Sequence, residues 1–179
     1  MPFRNNVVAQ DTTKGRENKQ HPDFFEQWAG KRTGLPFAMT GIYTSSDGKK
    51  IDFDHLQRYT FVFFGFYGCH PCEKELPVLI DFAADYPEAD FVYVTFDRKD
   101  IREREFKEAG KPNFIPTKNY YILEVPQDSI EARKLTMGYP TKYLLRKDGI
   151  VAFARVGSFR GTPADVRNAM RALIQQDGK

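Results

Sequence analysis

Thr60-Phe61-Val62-Phe63-Phe64-Gly65-Phe66-Tyr67-Gly68-Cys69-His70-Pro71-Cys72-Glu73-Lys74-Glu75-Leu76-Pro77 is the stretch that decides the fold of this 179-residue chain. Its first half, Thr60 to Phe66, is continuously apolar and β-prone, the pattern of a central strand buried on both faces. Two cysteines in C-x-x-C spacing come directly after it. From Cys72 to Tyr86, Leu76, Leu79, Ile80, Phe82 and Ala83 recur with helical period, and Pro77 is expected to kink or locally break that helix. A pair of thiols therefore sits at a strand-to-helix junction.

Upstream, Phe37 to Phe53 holds two short extended stretches around Ser45-Ser46-Asp47-Gly48, whose Asp-Gly pair signals a β-hairpin. Residues 21–34 form an N-terminal helix and linker: Pro22 suits a first helical turn, and Phe24, Phe25 and Trp28 share one face, expected to dock on the domain downstream. Met1 to Gln20 is polar and aperiodic, which marks a flexible arm. Beyond the cysteines, Phe91 to Phe96 is a second buried strand. Asp97 to Gly110 is a charged helix supported by the Glu103–Lys107 spacing, with a solvated face. Tyr120 to Val125 is next as a strand and Ser129 to Met137 as a short helix. Thr141 to Arg146 and Ile150 to Val156 form a hairpin closed by Lys147-Asp148-Gly149. A last helix begins at Thr162, with Pro163 and Asp165 in its first turn and Val166, Ala169, Met170, Leu173 and Ile174 as its buried stripe.

Composition excludes several classes of function. The chain has 27 basic and 24 acidic residues, a net charge of +3, with both signs interspersed. That leaves no electrostatic footprint for nucleic acid or an anionic membrane. No apolar run approaches the ~20 residues needed to cross a bilayer. Met1 to Gln20 lacks a signal-peptide core, although Val7-Val8-Ala9 has the small-residue look of a cleavage site.

The chemistry centres on Cys69 and Cys72, the chain's two cysteines. At the start of a helix, unpaired N–H groups and the helix dipole stabilise a thiolate, which makes Cys69 the nucleophile. Cys72, one turn inside, is expected to be less exposed and placed to resolve a mixed disulfide formed at Cys69. Two other readings stay open at this point. A zinc site would need two further ligands, for which His21 and His55 are the candidates outside the motif. A structural disulfide that does not turn over is the other.

The stretch Phe64 to Pro77 resembles the active-site signature C-x-P-C-x-x-E-x-P of TlpA/ResA-type thioredoxin-like thiol-disulfide oxidoreductases. Asp47-Gly48-Lys49 and Asp54-His55-Leu56 look like that family's N-terminal hairpin, and Gly138-Tyr139-Pro140-Thr141 looks like its cis-proline loop. Tyr120 to Met137 would be the strand and helix that it inserts into the thioredoxin core. The resemblance covers about 140 residues, from Phe37 onward. It implies an α/β thioredoxin fold over residues 35–179: a central mixed β-sheet flanked by helices, with an N-terminal β-hairpin and a central strand-helix insertion. It implies catalysis by Cys69, His70, Pro71, Cys72, Glu75 and Pro140, and substrate contact at Tyr67, Gly68 and Tyr139. No cofactor or metal is expected. The implied partners are a cysteine-containing substrate protein and a redox donor protein, acting on a monomer in the periplasm or cell envelope, with the cytoplasm as the alternative setting.

The chain departs from the family pattern at two places. Gly68 stands where the family usually has Trp, so the aromatic shield over the sulfur is absent or supplied by Tyr67. His70 between the cysteines is unusual for reducing members; an imidazole beside Cys69 favours its thiolate and makes the disulfide more oxidising. The direction of electron flow is therefore open. Pro140, an ordinary turn proline on local sequence, is expected to be cis because of the dithiol upstream and the strand after it. Glu75 has two readings, a carboxylate that raises a thiol pKa or relays a proton, and a charge favoured by the helix dipole. As an alternative function, Phe64-Gly65-Phe66 also resembles the Sco copper-delivery family, although that family needs C-x-x-x-C and a histidine later in the chain than His70. A thiol peroxidase and a redox-inactive module fit the motif less well.

Overall fold

The apolar runs become strands and the amphipathic runs helices, in the order α1 (Phe24–Gly30), β1 (Ile42–Thr44), β2 (Lys50–Asp52), β3 (Tyr59–Phe64), α2 (His70–Asp85), β4 (Ala89–Thr95), α3 (Lys99–Glu108), β5 (Tyr120–Glu124), α4 (Gln127–Ala132), β6 (Thr141–Leu145) and β7 (Val151–Val156). This computed structural model describes residues 24–108, 118–158, 171, 172 and 175. The arm Met1 to Gln20, His21 and most of the helix expected from Thr162 lie outside the described residues; Arg171, Ala172 and Gln175 are helical.

Five strands form one mixed sheet in the order β5-β4-β3-β6-β7. The pairs β3–β4 and β4–β5 are parallel, and β3–β6 and β6–β7 antiparallel. β3 is central, and its alternating side chains serve two cores. Phe61 and Phe63 pack with Cys69, Cys72, Leu76, Leu79 and Phe82 of the α2 side. Val62 and Phe64 pack on the other face with Phe37, Ile51, Phe53, Ile130 and Leu135. Burying each such side chain contributes about 1.5–3 kcal/mol against the unfolded chain, which is why an unbroken apolar run suits only this position.

The hairpin β1–β2 forms a separate two-stranded sheet around the Ser45–Gly48 turn. That turn docks on the edge strand β5: Ser46 N–H donates to Ile122 O (2.9 Å), and Ile122 N–H donates to Ser45 Oγ (3.0 Å). An otherwise open strand edge is thereby partly covered.

α2 buries the stripe Cys72, Leu76, Leu79, Phe82 and Ala83 and runs through Pro77 without ending. Pro77 removes one donor from the ladder, but the buried stripe on both sides of it holds the helix together. At the far end the buried Asn119 amide donates to Ala83 O (2.7 Å), Tyr86 O (3.1 Å) and Ala89 O (3.0 Å), satisfying carbonyls in and just beyond the last turn.

Two expectations need correcting. The short helix ends at Ala132 rather than Met137, because Lys134 adopts a left-handed φ of 52° that no helix accommodates. Phe24 is 65% exposed and Phe25 44%, so the docking face of α1 is formed instead by the buried Ala29 and by Trp28, whose ring lies 6.4 Å from that of Tyr143. The charged helix α3 has the solvated face expected of it, with Glu103, Arg104, Lys107 and Glu108 exposed, while Arg102 is 4% exposed.

Candidate active site

Register decides which segments meet at the end of the sheet. Phe64, the last residue of β3, pairs with Val94 of β4 on one side and with Thr141, the first residue of β6, on the other. The loop that leaves β3, the end of β4 and the loop that enters β6 therefore converge.

The loop leaving β3 is held by four hydrogen bonds. Gly65 N–H donates to Val94 O (3.1 Å), Tyr67 N–H to Asp97 Oδ2 (2.5 Å), Gly68 N–H to Glu73 Oε1 (3.2 Å) and Cys69 N–H to Phe66 O (3.2 Å). Asp97 is itself oriented by the Thr95 hydroxyl at 2.7 Å, and its carbonyl accepts from the buried Arg102 guanidinium at 3.1 Å. Glycine is needed twice here, for different reasons. A Cβ on Gly65 would lie 3.0 Å from both Phe63 and Tyr93 ring atoms and 3.3 Å from Cys72 Cβ. Gly68 has a φ of 84°, in the left-handed region that disfavours any Cβ, which accounts physically for glycine ahead of the first cysteine.

Cys69 is the N-cap of α2, in extended conformation, with His70 and Pro71 beginning the first turn. Its Sγ is bonded to that of Cys72 at 2.00 Å, with the two Cα atoms 5.2 Å apart. Cys69 is 6% exposed and Cys72 fully buried. Reduction of this bond would leave Cys69 at the positive end of the helix dipole, where a thiolate is favoured, and Cys72 behind it in the core.

Across the site the Tyr139–Pro140 peptide is cis. Its loop is fastened by Thr141 Oγ1 donating to Gly138 O (2.6 Å) and by Gly157 N–H donating to Pro140 O (2.7 Å). Tyr139, half-buried, joins Phe66 and Phe96 in an aromatic cluster: ring centroids are 5.1 Å apart for Phe66–Tyr139, 5.2 Å for Phe66–Phe96 and 6.1 Å for Phe96–Tyr139. Burial pushes the Tyr139 phenol up from its ordinary range.

The Glu75 carboxylate lies 2.6 Å from the ammonium of Lys142, which is fully buried on β6. Burial lowers the Lys142 ammonium to about 8, against the opposing attraction of Glu75. His70 is exposed at the helix start, and Tyr67 and Pro71 are half-buried beside it in the chain. His55, one of the two candidate zinc ligands, instead pairs with Asp52 at 3.0 Å, and His21 lies outside the described residues. Among the described residues no group of three or more His, Cys, Asp and Glu is placed to hold a metal ion.

Asp97, Glu73, Phe96 and Lys142 are site residues that sequence reasoning does not single out. Of these, Lys142 carries a signal: a lone charge inside the strand-like run Thr141 to Leu145, in phase with core positions.

A thioredoxin-like family model matches residues 57–151. The thiol-disulfide oxidoreductase ResA of Bacillus thuringiensis (strain Al Hakam) is 30% identical over 125 residues, which is 65% of this chain and 65% of that protein. The chain thus spans somewhat under two thirds of the length of the curated relatives it matches. Among solved structures, DsbF of MTB superposes with a TM-score of 0.60 at 21% identity, covering 78% of this chain and 98% of that one. A secreted Mycobacterium tuberculosis disulfide oxidoreductase superposes with a TM-score of 0.57 at 18% identity, covering 75% and 97%.

Proposed function

The chain belongs to the thioredoxin-like family, and we propose that it is a ResA-type thiol-disulfide oxidoreductase that exchanges the Cys69–Cys72 pair with cysteines of partner proteins. The observation that carries this reading is the bonded cysteine pair itself, one sulfur at the N-cap of α2 and the other buried one turn on.

In the reducing direction the Cys69 thiolate attacks one sulfur of a substrate disulfide. The substrate S–S bond breaks, a Cys69–substrate bond forms, and the departing substrate thiolate takes a proton. Cys72 then gives up its proton, and its thiolate attacks Cys69 Sγ. The mixed disulfide breaks, and the second substrate thiolate leaves. Two electrons pass from the cysteine pair to the substrate, and the reverse sequence oxidises a substrate dithiol. In this reading the cis-proline loop and the Phe66–Phe96–Tyr139 cluster present a backbone edge and an apolar wall to an extended substrate segment. Tyr67 and Gly68 line the approach to Cys69, and Pro71 shapes the first turn. The redox partners are proteins, no cofactor takes part, and a setting outside the cytoplasm is in keeping with the family likeness.

Purified protein should reduce an insulin-type substrate with dithiothreitol. Cys69→Ser should abolish turnover, and Cys72→Ser should accumulate mixed disulfides; retention of full activity by both variants would overturn the reading. The Sco-like copper alternative draws no support from the cysteine spacing, and one copper per chain, lost in Cys69→Ser, would revive it.

A further inference from the structure

Lys142 is a lysine where the fold asks for an apolar side chain. Its register opposite Phe63 of β3 and Arg155 of β7 places it on the sheet face covered by α2. Phe63 and Leu144 on that face belong to the cluster that includes both cysteines. Lys142 has no exposed surface. An unbranched apolar residue would fill the site at lower cost, because an ion pair taken out of water seldom recovers its full desolvation.

The ammonium makes contacts that join both halves of the site. It lies 2.6 Å from Glu75 Oε2 on α2, three residues past Cys72, and donates to Gly157 O at 2.8 Å. Gly157 in turn donates its N–H to Pro140 O. Beside it, β3 contributes the Phe63 ring, 5.7 Å away, and β7 contributes Arg155, a second cation that opposes the Lys142 charge.

We propose that Lys142 is a positioning residue for the dithiol, clamping the Glu75 carboxylate between the active-site helix and the cis-proline strand and offsetting its charge at the cysteines. The inference rests on the exchange function proposed for those cysteines. Glu75 lies three residues past Cys72 on α2, hence on the same side of the helix, and an uncompensated anion there would disfavour the thiolates and make the reduced state harder to hold. A cation fixed on that anion cancels the effect, so the pair together leaves the thiolate to be governed by the helix N-terminus. No bond is made or broken by Lys142, and the electrons pass only between the cysteine pair and the substrate sulfurs.

The test is the equilibrium of the full chain with reduced and oxidised glutathione at pH 7. Lys142→Met should make the disulfide less oxidising by about tenfold in the equilibrium constant, or about 30 mV. Lys142→Arg should stay near wild type, and Glu75→Gln/Lys142→Met should return to it. A purely structural role would not be rescued by removing the carboxylate. Should Lys142→Met fail to fold, Lys142→Gln, which keeps a donor for Gly157 O without the charge, takes its place with the same expectations. Equal constants across all variants, or a double variant displaced as far as the single one, would overturn the inference alone. A cysteine pair that reaches no equilibrium with glutathione in any variant would overturn the exchange reading instead.

Discussion

Asp97 accepts the backbone N–H of Tyr67 at 2.5 Å, which fastens the end of β4 to the loop two residues ahead of Cys69. A charged acceptor in a half-buried position makes this one of the stronger contacts in the site, worth about 1.5–3 kcal/mol. Asp97→Ala should therefore destabilise the oxidised protein by about 2 kcal/mol. Asp97→Asn, which keeps one carbonyl oxygen for the Tyr67 N–H, should lose clearly less. Urea denaturation of the three proteins reads both differences, and equal losses would show that the acceptor is not what holds the loop.

The two glycines of the same loop should fail for opposite reasons. A Cβ at Gly68 meets nothing within 4 Å, so Gly68→Ala is opposed only by its φ of 84° and should lose about 1–2 kcal/mol. Gly65→Ala keeps an ordinary backbone but presses on Phe63, Tyr93 and Cys72, and should lose about 1–3 kcal/mol through overpacking. Pairing Gly65→Ala with Tyr93→Leu should recover part of that loss, whereas Gly68→Ala combined with the same change should simply add. Additive behaviour in both pairs would refute the packing argument at Gly65.

The range of each signal along the chain separates the features legible in the sequence from those that were hidden. β3, α2 and the sulfur pair were legible because a run such as Thr60 to Phe64 and a stripe such as Leu76, Leu79 and Phe82 carry their periodicity within a single element. Asp97 was hidden because its partner Tyr67 is 30 residues away and the contact exists only once β3 and β4 pair in register. Glu75 had two readings for the same reason: its orientation is fixed by Lys142 on a strand that antiparallel pairing brings alongside β3. The exposed Phe24 shows the converse, since helical spacing defines a face without saying whether anything packs on it.

The burial of Lys142 should be visible in the pH dependence of stability. Its ammonium is lowered from 10.5 to about 8 in the folded protein, so between those values the unfolded chain holds the proton and the folded chain does not. Stability rises with pH wherever the unfolded state binds more protons. The penalty of the buried charge is thus fully present below about pH 8 and is relieved as pH climbs toward 10. The buried phenols of Tyr93, Tyr120 and Tyr143, all pushed upward by burial, act oppositely from about pH 10 on. The oxidised protein should gain on the order of 1–2 kcal/mol between about pH 7 and 9.5 and lose stability beyond. Lys142→Met should show no such gain, and a flat wild-type profile would mean that the ammonium is better solvated than its surroundings indicate.

The redox poise turns on the first turn of α2. Cys69 caps that helix, so its thiolate faces unpaired N–H groups, and His70 at the next position adds an exposed imidazole. Both favour the thiolate and should bring the Cys69 thiol below the free value of about 8.5. A more stable thiolate lowers the free energy of the reduced state, which makes the disulfide the stronger oxidant. The expected potential lies between those of thioredoxin and protein disulfide isomerase, roughly −270 to −180 mV. Glu75 would oppose this if its charge reached the sulfur, but its carboxylate is turned onto Lys142. With that influence offset, His70→Gly should move the potential more negative. Glutathione equilibria of wild type and His70→Gly measure it directly. An unchanged or more positive potential in His70→Gly would show that the imidazole does not tune the site.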